Sequence, residues 1–110
     1  MILVALALAA SVPIKGPETF YGYPDEDSCG YWIEQRRRGE GRSQLWEAWI
    51  LGFVTGLNVF GPNNGNIAPD VKADGLQAWV DQYCSAHPLD SIAMAAIKLT
   101  DELKRRHAHR

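Results

Sequence analysis

Residues 83–90, Tyr-Cys-Ser-Ala-His-Pro-Leu-Asp, place a thiol, an imidazole and a carboxylate within eight positions. Cys84 with His87 as its base would be a pair for covalent catalysis. The same two side chains are also zinc ligands. A third reading makes Cys84 one half of a disulfide, with His87 and Pro88 marking a turn of the chain. A catalytic thiol must be partly exposed beside its base, yet Cys84 continues the apolar spacing Leu76, Val80, Cys84 of a helix face. Pro88 ends that helix close to His87, and a second cysteine, Cys29, is available to oxidise Cys84. A structural zinc site takes four ligands, and the other histidines, His107 and His109, sit among arginines at the C-terminus. No acid-base pair stands out among the carboxylates, and Asp25, Glu26 and Asp27 read as a solvated, helix-capping cluster. The residues therefore point away from an enzyme, a metal site and a cofactor.

The elements that would position these groups follow from length and composition. A chain of 110 residues is one domain, and 46% apolar residues make it a globular one. A formal charge of -2 supplies no general attraction for nucleic acid. The first fourteen residues, MILVALALAASVPI, are uncharged and Lys15 is the first charge. That run is shorter than the roughly 20 residues of a membrane-crossing helix. It has the length and Ala/Leu content of a secretory leader, and Ala7-Leu8-Ala9 offers a small-x-small cleavage pattern. The expected organisation is a leader-like segment over 1–15, a Gly/Pro/acid-rich linker over 16–27, and a single domain over 28–110. Export leaves no membrane span after cleavage and places the domain in the periplasm or outside the cell. In an oxidising compartment two cysteines are most simply one Cys29–Cys84 disulfide. Closing about 55 residues is worth roughly 4 kcal/mol in the chain-entropy picture.

Periodicity predicts an all-α domain of four helices. The first runs from about Cys29 to Arg38, with Asp27 or Ser28 as N-cap and Arg36, Arg37 and Arg38 at the negative end of its dipole. The second runs from Ser43 to about Asn58. It is apolar almost all round, which predicts a central position. Gly52 and Gly56, four residues apart, would leave a groove for a neighbouring helix or a bulky side chain. A long loop, 59–75, carries the turn signals Gly61-Pro62 and Asn64-Gly65 and lacks the spacing of a calcium-binding EF-hand. The third helix starts at Asp74 and presents Leu76, Val80 and Cys84 to the core, so the disulfide would join helices one and three. The fourth starts at Pro88, with Asp90 in its first turn and a face of Leu89, Ile92, Ala93, Ala96, Ile97, Thr100 and Leu103. The tryptophans lie on helix faces. Trp46 and Trp49, with Asn63, Asn64 and Asn66 of the loop, are the candidate partner surface.

Three features together carry a resemblance: Cys29 opening a helix, the Trp49-x-x-Gly52-x-x-x-Gly56 segment, and WVDQYCSAHPLDSIAMAA with the apolar helix behind it. Over residues 28–103 the chain resembles the HdeA/HdeB-like group of small periplasmic helical proteins. More loosely it is similar to Rap/Tai-type immunity proteins, which neutralise cell-wall amidase effectors of type VI secretion. The resemblance implies about four helices, an exported location and one disulfide, carried here by Cys29 and Cys84. The expected function is a non-enzymatic protein-binding domain of the stress or chaperone type, opening its second helix to an unfolded client when acid protonates its carboxylates. The alternative is an immunity protein that sets the 59–75 loop or an aromatic patch against a secreted toxin. Either accommodates a homodimer.

Overall fold

The computed structural model describes residues 22–61 and 66–108. These form four helices and no strand: α1 (Cys29–Arg38), α2 (Gln44–Phe60), α3 (Ala73–Ala86) and α4 (Ile92–Ala108). The leader-like segment and the Asn64-Gly65 turn expected from sequence lie outside the described residues.

Local chemistry sets the helix ends. Ser28 caps α1, its hydroxyl accepting the Tyr31 N–H at 3.1 Å. The helix stops where Gly39, Glu40 and Gly41 all take positive φ, a run that two glycines permit. α2 ends at Gly61, which donates its N–H to the Leu57 carbonyl. A Cβ on Gly61 would collide with that oxygen, so only glycine fits there. α3 closes at His87, whose N–H reaches the carbonyls of Tyr83 and Cys84.

The start of α4 differs from the expectation. Pro88 does not open the helix but sits in a turn closed by the Asp90 N–H on the His87 carbonyl, and the helix begins at Ile92. The reason lies in its N-terminal amides, which need acceptors. Ser91 Oγ accepts from the Met94 N–H at 2.9 Å, and Asp27 Oδ1 accepts from the Ala93 N–H at 3.0 Å. Pro88 offers neither. Leu89 is consequently 99% exposed and is not part of the core face.

Cys29 and Cys84 are fully buried and joined as a disulfide with their Cα atoms 4.8 Å apart, linking α1 to α3. Around it lie Trp32, Val80, Leu76, Ile92, Ala95, Ala96, Leu99 and Leu103. α4, and not α2, is the central helix. It packs against the other three, and its alanines let large neighbours close in. α2 contributes Trp46, Ile50 and Val54 to this core and meets chiefly α4. Trp49, Leu51, Phe53 and Leu57 pack partly against this core, whereas Leu45, Val59 and Phe60 face outward.

Residues 22–27 do not form a free tether. Trp46 donates its indole N–H to the Glu26 carbonyl (3.0 Å), Trp49 to the Gly22 carbonyl (2.6 Å), and Asp27 caps α4. The linker expected over 16–27 thus folds onto the domain in its described half.

Candidate functional site

Residues 83–90 hold no free thiol. Cys84 is taken up in the disulfide. His87 stacks on Tyr83 with ring centroids 4.3 Å apart, and its Nδ1 lies 3.0 Å from the Tyr83 carbonyl. Tyr83 donates its hydroxyl to Asp90 at 2.5 Å, and that bond pushes its ionisation up to about 12. Trp79 stacks on the other side of Tyr83. The stretch is therefore an aromatic column ending in a corner. Among the described residues no group of three or more His, Cys, Asp or Glu side chains could hold a metal ion.

A charged cluster that the sequence did not announce ties α1 to α3 and α2. Arg36 grips Asp81 with two bonds, Nε to Oδ1 at 2.9 Å and Nη2 to Oδ2 at 2.7 Å. It also reaches Glu47 at 3.5 Å and lies 5.5 Å over the Trp32 ring. The buried Trp32 gives its indole N–H to the same Asp81 Oδ1 at 2.8 Å, and Ser43 gives its hydroxyl to Glu47. The carboxylates hold the Arg36 guanidinium above its ordinary range, the Asp81 hydrogen bonds contributing most. The adjacent depression of about 330 Å³ is lined by Ile33, Arg36, Arg37, Asp81 and Ser85. With its charges mutually paired, the cluster works as a clasp between the helices. In sequence, Arg36 is indistinguishable from Arg37 and Arg38. Those two instead pair locally with Glu34, which holds that carboxyl down to about 2.

The expected partner surface divides. Trp46 is buried and belongs to the core, so it is not available to a partner. Trp49 is half-buried between Trp46 and Phe53, with Tyr23 edge-on. Asn66 builds a turn, its side-chain oxygen accepting from the Ala68 N–H and from Asn58. Asn63 and Asn64 lie outside the described residues. No described residue fills the groove expected at Gly52 and Gly56, since a Cβ on either would meet no atom within 4 Å. No described residue packs on these glycines. They open to solvent.

That observation exposes a surface that sequence reasoning misses. On a helix at 100° per residue, Leu45, Ala48, Gly52, Thr55, Gly56 and Val59 share one face, opposite Trp46, Ile50 and Val54. Leu45 is 66% exposed, Val59 61%, and Phe60 beside them 89%. Ala48, Gly52 and Thr55 are exposed too. Thr55 donates its hydroxyl to the Leu51 carbonyl at 2.7 Å, so it adds no outward donor. No charge interrupts the strip, since Glu47, the single charged residue of α2, points to Arg36. The outer faces of α1 and α4 instead carry Glu34, Arg37 and Arg38, and Asp101, Arg105 and Arg106. The signal is present in the all-round apolarity of α2, but that pattern reads equally as a central helix.

No family model, curated protein or solved structure matches the chain, so nothing in these comparisons links it to the HdeA/HdeB-like or Rap/Tai-type groups. No helix among the described residues is long and apolar enough to cross a membrane.

Proposed function

We propose that this chain is a small exported, non-enzymatic protein-binding domain of the stress or chaperone type, acting through the outer face of α2. One observation carries the reading: a charge-free strip of apolar and small side chains along α2 that finds no partner among the described residues. Contiguous apolar surface held in water is unfavourable by roughly 25 cal/mol per Å², and such patches mark contact with another macromolecule. A buried Cys29–Cys84 disulfide suits an oxidising compartment, and the leader-like N-terminus supports export. Because the strip is already open in the folded state, a client can be engaged without first unfolding α2. The core half of that helix, Trp46, Ile50 and Val54, becomes available only if acid loosens the domain.

The test is light scattering from an aggregating, unfolded client at neutral pH and at about pH 2–3, with and without the protein. Wild type should suppress scattering, and Val59→Glu, on the solvent side of α2, should lose that effect while keeping its helical circular dichroism. No suppression by wild type, or equal suppression by the variant, rejects this reading. Capture of one folded partner from the native compartment, lost in Val59→Glu, would favour the inhibitor alternative at the same surface.

A further inference from the structure

The order of residues along the α2 strip has an internal symmetry. Counting outward from Gly52, Leu45 and Val59 are each seven residues away, Ala48 and Gly56 four, and Trp49 and Thr55 three. Along Leu45, Ala48, Gly52, Gly56 and Val59, large apolar groups end the strip and small ones fill its middle, in the same order from either direction; the position mirroring Thr55 is the half-buried Trp49, which packs toward the core. Such a strip complements its own copy in antiparallel orientation. A two-fold axis through Gly52 sets Leu45 on the second copy's Val59, and Ala48 on its Gly56. Gly52 then meets Gly52, where no side chain holds the backbones apart. A closed two-fold dimer requires this, because one patch must serve as both halves of the interface.

Charge agrees. Burying the strip against itself desolvates no ionised group, and Thr55 is already satisfied within its own helix. The two helix dipoles run opposed. A parallel arrangement would instead bring like dipole ends together. Three of the large apolar side chains the fold leaves exposed, Leu45, Val59 and Phe60, belong to this one helix.

We propose that the chain forms a homodimer by antiparallel packing of α2 on α2 about Gly52. This rests on the same strip as the proposed function, and names a second copy as the occupant in the absence of client. The strip from Leu45 to Val59 is about 21 Å long at 1.5 Å per residue. One helix face of that length falls short of the ~800 Å² per partner of a standard interface, so the dimer is a weak one that forms in the micromolar range or above.

The experiment joins sedimentation with directed cross-linking of the full chain. Gly52→Cys should give a covalent dimer on mild oxidation, because the axis brings this position onto itself. Its helix should survive, since the added side chain meets open space. A mixture of Leu45→Cys and Val59→Cys chains should cross-link as 45-to-59 heterodimers in preference to 45-to-45 or 59-to-59. Gln82→Cys, on the exposed side of α3, is the control and should stay monomeric. Sedimentation of wild type should show monomer-dimer exchange that Gly52→Glu abolishes. Wild type monomeric at about 1 mM, or cross-links no more frequent at Gly52 than at Gln82, overturns the dimer. Preferred 45-to-45 linkage overturns the antiparallel arrangement. A monomer that still suppresses client aggregation through Val59 would sink the dimer and leave the binding function standing.

Discussion

Removing the Asp81 carboxylate should harm this domain more than removing the arginine it pairs with. Asp81 serves two donors at once, the Arg36 guanidinium and the indole N–H of buried Trp32. In Asp81→Ala the indole N–H loses its acceptor inside the core, which costs about 1–3 kcal/mol. The ion pair is roughly one-third exposed at both ends, so solvent discounts it to about 0.5–1 kcal/mol. The two losses together come to about 1.5–4 kcal/mol. Arg36→Met keeps the Trp32–Asp81 bond and loses the ion pair and the cation-π contact, for about 1–2 kcal/mol. Equilibrium urea unfolding followed by circular dichroism measures both. In a domain of this size the larger loss should lower the midpoint temperature by about 10–20 °C. The double variant should fall short of the sum of the singles by about the ion-pair energy, roughly 0.5–1 kcal/mol. Equal costs for the two single variants would refute the view that Asp81 is held chiefly as the acceptor for Trp32.

Three further outcomes follow from the same geometry. Reducing the Cys29–Cys84 disulfide should cost roughly 4 kcal/mol, a large part of the roughly 5–15 kcal/mol of a whole domain. The protein should show no free thiol, folded or unfolded, until a reductant is added, and a urea midpoint insensitive to reductant would contradict this. Asp27→Ala should destabilise the start of α4 by about 0.5–2 kcal/mol and speed amide exchange at Ala93, while Met94 stays protected through Ser91. Finally, Glu34 and Glu102 are held down to about 2 by hydrogen bonds from Arg37 and Arg38, and from Arg105 and Arg106, against an ordinary value of 4.5. Their contribution is therefore complete above pH 4.5 and fades as pH falls toward 2. Both pairs are exposed, so the effect is small and weakens with salt. Melting temperatures of a Glu34→Gln, Glu102→Gln double variant should lose part of the acid slope in that window, and an unchanged slope would count against the pairs.

Much of the fold is legible in the sequence because short-range chemistry governs it. Ser28, the Gly39–Gly41 turn and Gly61 mark helix ends by caps and backbone limits that involve only neighbours. The spacing Leu76, Val80, Cys84 is enough by itself to assign the second cysteine to a buried face. The start of α4 escapes sequence reasoning for the opposite reason. Pro88 is a good local signal, but the amides at 93 and 94 take their acceptors from Ser91 and from Asp27, and the latter arrives from far away in the chain.

The α2 helix shows where the division falls. Its sequence alone determined that it would be helical and apolar on nearly every side, and that glycines would interrupt it at 52 and 56. Whether those sides would be buried depended on how many neighbours the other helices could supply. α1 and α3 are held to each other by the disulfide and by the Arg36–Asp81 clasp, and α4 fills the space between them and α2. Trp46, Ile50 and Val54 find partners there, and Leu45, Gly52 and Val59 find none among the described residues. Helix periodicity assigns residues to faces, but only tertiary packing decides which face receives a neighbour, because a helix of this kind can bury either side equally well.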